Sequence, residues 1–174
     1  NSAEYTVRLL KNEGIIDSAA DIKVIKSSEA GSAASQIAAE YDAVIAVSAM
    51  YSRSDIDAEG ENSKIIDKLT SAMHSAGKQI AVISAQLPYD AARFTEADAL
   101  AACYNARGMR IMPENGNCPA EYGPNIPAAI YTAFGGSSPT GVLPVNIMKL
   151  NSDYSYSSEI MYSRGFGLSY SGRP

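Results

Sequence analysis

The chain contains no tryptophan, one histidine, two cysteines and only three phenylalanines among its 174 residues. Each scarcity excludes something. Without tryptophan, the chain lacks the ring that free-standing sugar-binding modules most often stack on sugars. With a single histidine, His74, any Ser/His/Asp triad must use that residue, and no G-x-S-x-G elbow accompanies it. His74 has no partner at metal-ligand spacing. It reads as a residue of a helix's last turn, where the dipole favours it. Cys103 and Cys118 can form one bridge at most, and spacing does not show whether geometry permits it; the preferred reading is two thiols, one of them in a strand. No run of about 18 apolar residues occurs, so no segment reads as a spanning helix. Basic charge is also short, the net charge being −5, which argues against nucleic acid and anionic membranes as partners. There is no P-loop and no strand-linked G-x-G-x-x-G, and no cofactor or metal is expected.

The remainder is material for one domain: 46% hydrophobic residues in a length that buries roughly 70% of the unfolded chain's surface. Short β-branched runs alternate with stretches of helical period. Ser2 to Asn12 reads as a helix with Tyr5, Leu9 and Leu10 on one stripe and Gly14 as its stop. Ile22, Val24 and Ile25 read as a short strand, and Gly31 to Tyr41 as a helix with Ile37 inward. Asp42 to Ser48 is an almost continuous apolar run, the mark of a strand covered on both faces. Ala49 to Glu61 is a polar loop. Asn62 to Ala76 carries Ile65, Ile66, Leu69 and Met73 at helical spacing, and Gly77 ends it.

Gln79 to Ser84 is a second buried strand. Pro88 to Phe94 reads as a turn or short helix entry, Thr95 to Asp98 as a helix start with a threonine cap, and Ala99 to Asn105 as a strand. Ile126 to Phe134 is a helix with Pro127 in its first turn. Val142 to Ile147 is extended, with Pro144 marking an edge position. The Tyr-, Ser- and Gly-rich tail from Lys149 to Pro174 is expected to wrap over the surface. The alternation predicts an α/β fold: a three-layer α/β/α sandwich with a mostly parallel, flavodoxin-like sheet. A helix comes first where such a fold opens on a strand. The expectation is therefore that the first strand is missing and that residues 1–174 are a fragment of a longer protein.

In an α/β fold ligands gather at the loops following the strands. Those loops hold Ser48, Tyr51, Arg53, Asp55, Asp57 and Glu59, then Gln86, Tyr89 and Asp90. Tyr51, Arg53, Gln86 and Tyr89 are the candidate wall beside a sugar. The three acids of the first loop read as a solvated acidic loop, and Asp90 as a cap on its turn.

Three segments carry a family resemblance. Ile80-Ala-Val-Ile-Ser-Ala-Gln-Leu-Pro-Tyr-Asp-Ala-Ala-Arg-Phe94, running on to Tyr104, resembles the strand, "N-P-Y-D-A" turn and next strand of bacterial β-N-acetylglucosaminidases of glycoside hydrolase family 3. Gly123-Pro-Asn-Ile-Pro-Ala-Ala-Ile-Tyr-Thr-Ala-Phe-Gly135 with Pro139-Thr-Gly-Val-Leu-Pro-Val145 is similar to that family's last helix and its "F-G…P-x-G-x-L-P-V" signature. Met161-Tyr-Ser-Arg-Gly-Phe-Gly-Leu-Ser-Tyr170 resembles its "Y-P-x-G-x-G-L-S-Y" closure. Physically, Gly135 and Gly136 suit a helix end, Gly141 with Pro139 suits a turn, and Gly165 and Gly167 suit close backbone approach.

The resemblance implies a C-terminal accessory domain whose partner is an N-terminal barrel of the same polypeptide. The barrel would carry the aspartate nucleophile and a His–Asp acid/base, and its K-H-F-P-G-H-G type motif is absent here. The whole enzyme would be a retaining hydrolase removing terminal β-N-acetylglucosamine from peptidoglycan or chitin-type oligosaccharides, which favours a secreted or cell-envelope location over a cytoplasmic one. In the β-glucosidase branch the second domain supplies an acid/base glutamate. Glu59 falls in that region, but the text is Glu59-Gly60-Glu61-Asn62-Ser63 rather than E-G-x-D-R, a departure that counts against the role. The isolated chain is thus expected to be inactive and to self-associate. Arg110 to Tyr122 reads as a lineage-specific loop. The alternative is a stand-alone α/β module binding a small ligand or a protein. A small hydrolase using Ser48 or Ser84 would need a nucleophile turn at one of them, and neither has one.

Overall fold

The structure is a computed structural model that describes residues 2–104 and 125–170, with side chains from residue 6 onward. Cys118, the Arg110–Tyr122 loop and the Tyr5 side chain lie outside the described residues.

Helix α1 spans Ser2–Asn12, with Leu10 buried on its inner face. Helix α2 spans Ser27–Glu40 and buries Ala30, Ala34, Ile37 and Ala38, a spacing of one helical stripe. Strand β1 is Ala43–Ser48. Helix α3, Glu61–Ser75, buries Ile66, Leu69, Thr70 and Met73 against α2 and the sheet; the buried Thr70 hydroxyl donates to the Ile66 carbonyl at 2.9 Å. Gly77, at φ +68°, follows its end as expected. Strand β2 is Gln79–Ser84 and β3 is Ala99–Ala102. These three strands form a parallel sheet in the order β1-β2-β3. Helix α4, Asn125–Ala133, packs on β2, β3 and α1. A separate antiparallel hairpin follows, β4 Ile147–Leu150 with β5 Tyr156–Tyr162. The architecture is α/β: a parallel sheet flanked by helices, with a small hairpin beside it.

The hydrophobic core joins α2 and α3 to the sheet through Ile37, Ala38, Ile66, Leu69, Met73, Ile80, Val82 and Phe94. Central position explains which strand is sealed. β2 has a neighbour on each side, and Ile80, Val82, Ile83 and Ser84 are all buried. β1 was expected to be covered on both faces, yet Ala43 is exposed and Val47 is 41% exposed. It is an edge strand, and no strand among the described residues pairs with its outer side.

Four sequence expectations are corrected or refined. Residues 22–25 are not a strand. Ile22 and Val24 face solvent, and only Ile25 packs on the core, so β-propensity there has no burial to support it. Thr95–Asp98 is a turn, not a helix start. Asp98 is already engaged with β2: its N–H donates to the Ile80 carbonyl at 3.0 Å and its carboxylate accepts the Ile80 N–H at 2.8 Å. The stretch 142–147, read as extended at an edge position, enters a regular strand only at Ile147. Leu143 instead exchanges two 2.8 Å backbone bonds with Gly165 and Phe166. The tail, finally, does more than wrap over the surface, since Lys149 and Leu150 lie in β4 and Tyr156–Tyr162 forms β5.

Candidate functional site

Two loops leave the C-terminal ends of β1 and β2 side by side. Their pairing continues past the strands: the Ala85 N–H donates to the Ser48 carbonyl at 2.7 Å and the Leu87 N–H to the Met50 carbonyl at 3.2 Å. The first loop is shaped by its own acids. Asp55 accepts the backbone N–H of Tyr51 at 2.7 Å and of Ser52 at 2.8 Å, capping a single 3-10 turn at Arg53–Asp55. Asp57 accepts the Glu59 N–H at 3.0 Å. Gly60 lets the loop close: a Cβ there would sit 2.2 Å from the Asp55 carbonyl oxygen, a distance no side chain tolerates. With Asp57, Glu59 and Glu61, the loop lines an open acidic depression of about 490 Å³.

The second loop runs into a 3-10 turn at Pro88–Ala92, opened by a proline whose missing N–H costs nothing there. Asp90 lies inside it, fully buried. The Ser84 hydroxyl donates to Asp90 Oδ1 at 2.5 Å, and the Ser48 side chain faces the same carboxyl. Asp90 Oδ2 is buried without a hydrogen-bond partner. Desolvation pushes the Asp90 carboxyl above the ordinary aspartate range, and the bonds from Ser84 and Ser48 offset part of that rise.

The hairpin supplies a third side. Tyr154 sits in its turn at φ +61°, held by its N–H donating to the Asn151 carbonyl at 2.9 Å. Two arginines clamp that turn. Arg53 donates to the Tyr154 carbonyl and lies 5.1 Å from the Tyr156 ring centroid. Arg93 lies 4.2 Å from the Tyr154 ring, while its guanidinium donates to the carbonyls of Ile56 and Asp57 and to Asp67. Tyr89 meets Tyr156 edge-on at 6.4 Å. Burial raises the Tyr156 hydroxyl pKa and the Arg53 charge opposes the rise.

Of the four wall residues read from the sequence, Arg53 and Tyr89 meet on the ring of Tyr156. Tyr51 and Gln86 each adjoin the Met50–Leu87 backbone bond. Tyr51 is 55% exposed and Gln86 is half-buried. Glu59 is not part of this group. Its side chain is 87% exposed and paired with Lys64 at 2.7 Å. The sequence reading missed Arg93, Tyr154 and Tyr156. The paired charges in Arg93 and Asp67 carry no local pattern, and the tyrosines arrive from a hairpin that was not foreseen.

The arrangement can bind a neutral polar ligand with tyrosine faces, one guanidinium and backbone groups. Among the described residues it holds no poised nucleophile. Ser84 has a carboxyl partner but no imidazole, because His74 stands on α3 with its Nε2 3.2 Å from Asp98, the residue bonded to Ile80 near the opposite end of β2. Accepting the Ile80 N–H, and then the contact with His74, hold Asp98 below the usual range. Among the described residues no cluster of His, Cys, Asp and Glu could hold a metal ion, and no helix is long and apolar enough to cross a membrane. No protein-family model matches the sequence, and no curated protein is significantly similar to it.

Proposed function

We propose that the chain is the accessory α/β domain of a retaining, family 3-type β-N-acetylglucosaminidase, with a flavodoxin-like three-layer body. In this reading it packs on a catalytic barrel and edges the cleft with Tyr51, Arg53, Gln86 and Tyr89, joined by Tyr156. The hydrolysis itself belongs to the barrel. Peptidoglycan or chitin-type oligosaccharides are the substrate class, and a secreted or cell-envelope location goes with them.

One observation supports this reading above the others. The signature-like segments, far apart in sequence, lock onto one another. Leu143 of the second pairs with Gly165 and Phe166 of the third at 2.8 Å. The Tyr170 hydroxyl donates to the Thr132 carbonyl at 2.7 Å, and Asn125 donates to the Cys103 carbonyl at 2.6 Å, tying the second segment to the first. Contacts between the segments that carry the resemblance support this reading.

The test has two arms. The reading frame upstream of Asn1 is expected to encode a barrel with a K-H-F-P-G-H-G type motif. The purified chain is expected to leave an aryl β-N-acetylglucosaminide intact. An upstream frame without a barrel, or turnover by the chain that disappears in Glu59→Gln, overturns the proposal.

A further inference from the structure

Asp90 is the only carboxylate among the described residues that is fully buried, and neither the wall nor the closure uses it. Its surroundings hold little that would solvate a charge. β1 and β2 offer the hydroxyls of Ser48 and Ser84. β3 offers alanines and one leucine. β4 brings one charged side chain, Lys149, which is 2.6 Å from Glu159. β5 brings Tyr156, with Arg53 on its far contact. Within the turn itself, Tyr89 leans on Tyr156, and Arg93 is committed to Asp67 and two carbonyls. Among the described residues no cation is paired with the carboxyl, and Oδ2 is without a hydrogen-bond partner.

A neutral carboxyl tolerates this setting: protonated on Oδ1 it donates to the Ser84 oxygen, the Ser84 hydroxyl turns to the Leu87 carbonyl 3.4 Å away, and Oδ2 remains an uncharged acceptor. An ionised one has the hydroxyls of Ser84 and Ser48 and the backbone N–H groups of Asp90 and Ala91, but no opposite charge, and the loss of water outweighs them. Opening the turn hydrates the charge and removes the cost. Opening also breaks the Ala85–Ser48 and Leu87–Met50 backbone bonds, because both belong to the same loop. We propose that residues 85–94 form a proton-operated latch, shut on Ser84 and Ser48 while Asp90 is neutral, and opening with Tyr89 and Arg93 when Asp90 ionises. The wall beside the hairpin is then a property of pH: complete in acid, loosened as the solution becomes alkaline.

The sign follows from linkage. The closed form binds the proton more tightly than the open or unfolded form, because burial raises the carboxyl's pKa. Between the unfolded and folded pKa values the closed form therefore holds more protons, and raising the pH through that window favours opening, by up to about tenfold per pH unit. Above the folded pKa the effect is complete and levels off.

The experiment follows the Asp90 carboxyl carbon by NMR in the unaltered chain, together with hydrogen exchange at the amides of Ala85, Leu87 and Arg93, corrected for intrinsic base catalysis. The expected result is an Asp90 midpoint above the ordinary value of about 3.9, with opening of the three amides rising through that same midpoint. In Asp90→Asn, which keeps an acceptor for Ser84 but cannot ionise, the opening should be flat with pH. An Asp90 midpoint at or below the ordinary value overturns the proposal, as does exchange that ignores the midpoint. The wild-type titration decides the matter even if the variant fails to fold.

Discussion

A guanidinium whose side chain is only 3% exposed cannot shed its charge, so Arg93 depends on matched acceptors. It has three: the carbonyls of Ile56 and Asp57, at 2.8 and 2.5 Å, and Asp67 at 2.5 Å. A lysine in its place brings one point charge to a site shaped for a fork. Arg93→Lys is expected to destabilise the chain by about 2–3 kcal/mol, which at this size lowers Tm by roughly 5–10 °C. Asp67→Asn should cost no more than about 1 kcal/mol, because Asp67 is 44% exposed and water replaces much of what it gives. Urea unfolding of the two variants separates them, and equal losses would mean that the fork is not what anchors Arg93. This residue also marks the limit of reading the site from sequence. Arg53 and Tyr89 were legible because strand-following loops in α/β folds are where ligands gather. Their common partner Tyr156 was not, since the Arg53–Tyr154 bond closes a separation of 101 residues and no local spacing encodes it.

Elements whose burial pattern is local were legible. β2 and α3 lie where their apolar runs and periods put them, because each is sealed by neighbours that leave a full pattern in the text. The hairpin was opaque for the opposite reason. β5 is mostly exposed or half-exposed, and the β4–β5 ladder shifts register twice, so neither alternation nor a two-residue turn advertises it. Residues 22–25 failed in the other direction, with β-branched side chains and no sheet neighbour to bury them. At the closure between segment 139–145 and the tail, the two glycines of the resemblance separate cleanly. A Cβ on Gly167 would lie 2.5 Å from the Gly141 carbonyl oxygen, whereas a Cβ on Gly141 would meet nothing within 4 Å. Gly167→Ala is therefore expected to cost about 1–3 kcal/mol through a backbone clash that no rotamer relieves. Gly141→Ala should stay within about 0.5 kcal/mol. Limited proteolysis reads the element directly: the tail of Gly167→Ala should be cut faster than that of Gly141→Ala. The reverse order would show that the tail is not held by this approach.

For the molecule as a whole, the sheet is unbalanced. β2 is sealed while β1 ends the sheet, with no described strand on its outer side and with Val47 at 41% exposure. Exposed β-edges invite pairing with another chain unless charge or proline blunts them, and Ala43–Ser48 contains neither. Opposing this is a net charge of −5, which keeps copies apart at low ionic strength and does so less as salt shortens the Debye length to about 8 Å at physiological strength. The two effects predict a dependence that neither gives alone. The chain should self-associate with rising concentration, and more strongly in salt than in dilute buffer. Val47→Lys, which places a charge on the edge strand at a position already half in solvent, should return it to monomer with little loss of stability. Sedimentation equilibrium at two ionic strengths tests this. A wild-type chain that stays monomeric in both would mean that the β1 edge is protected, and self-association driven by electrostatics would show the opposite salt dependence and leave Val47→Lys without effect.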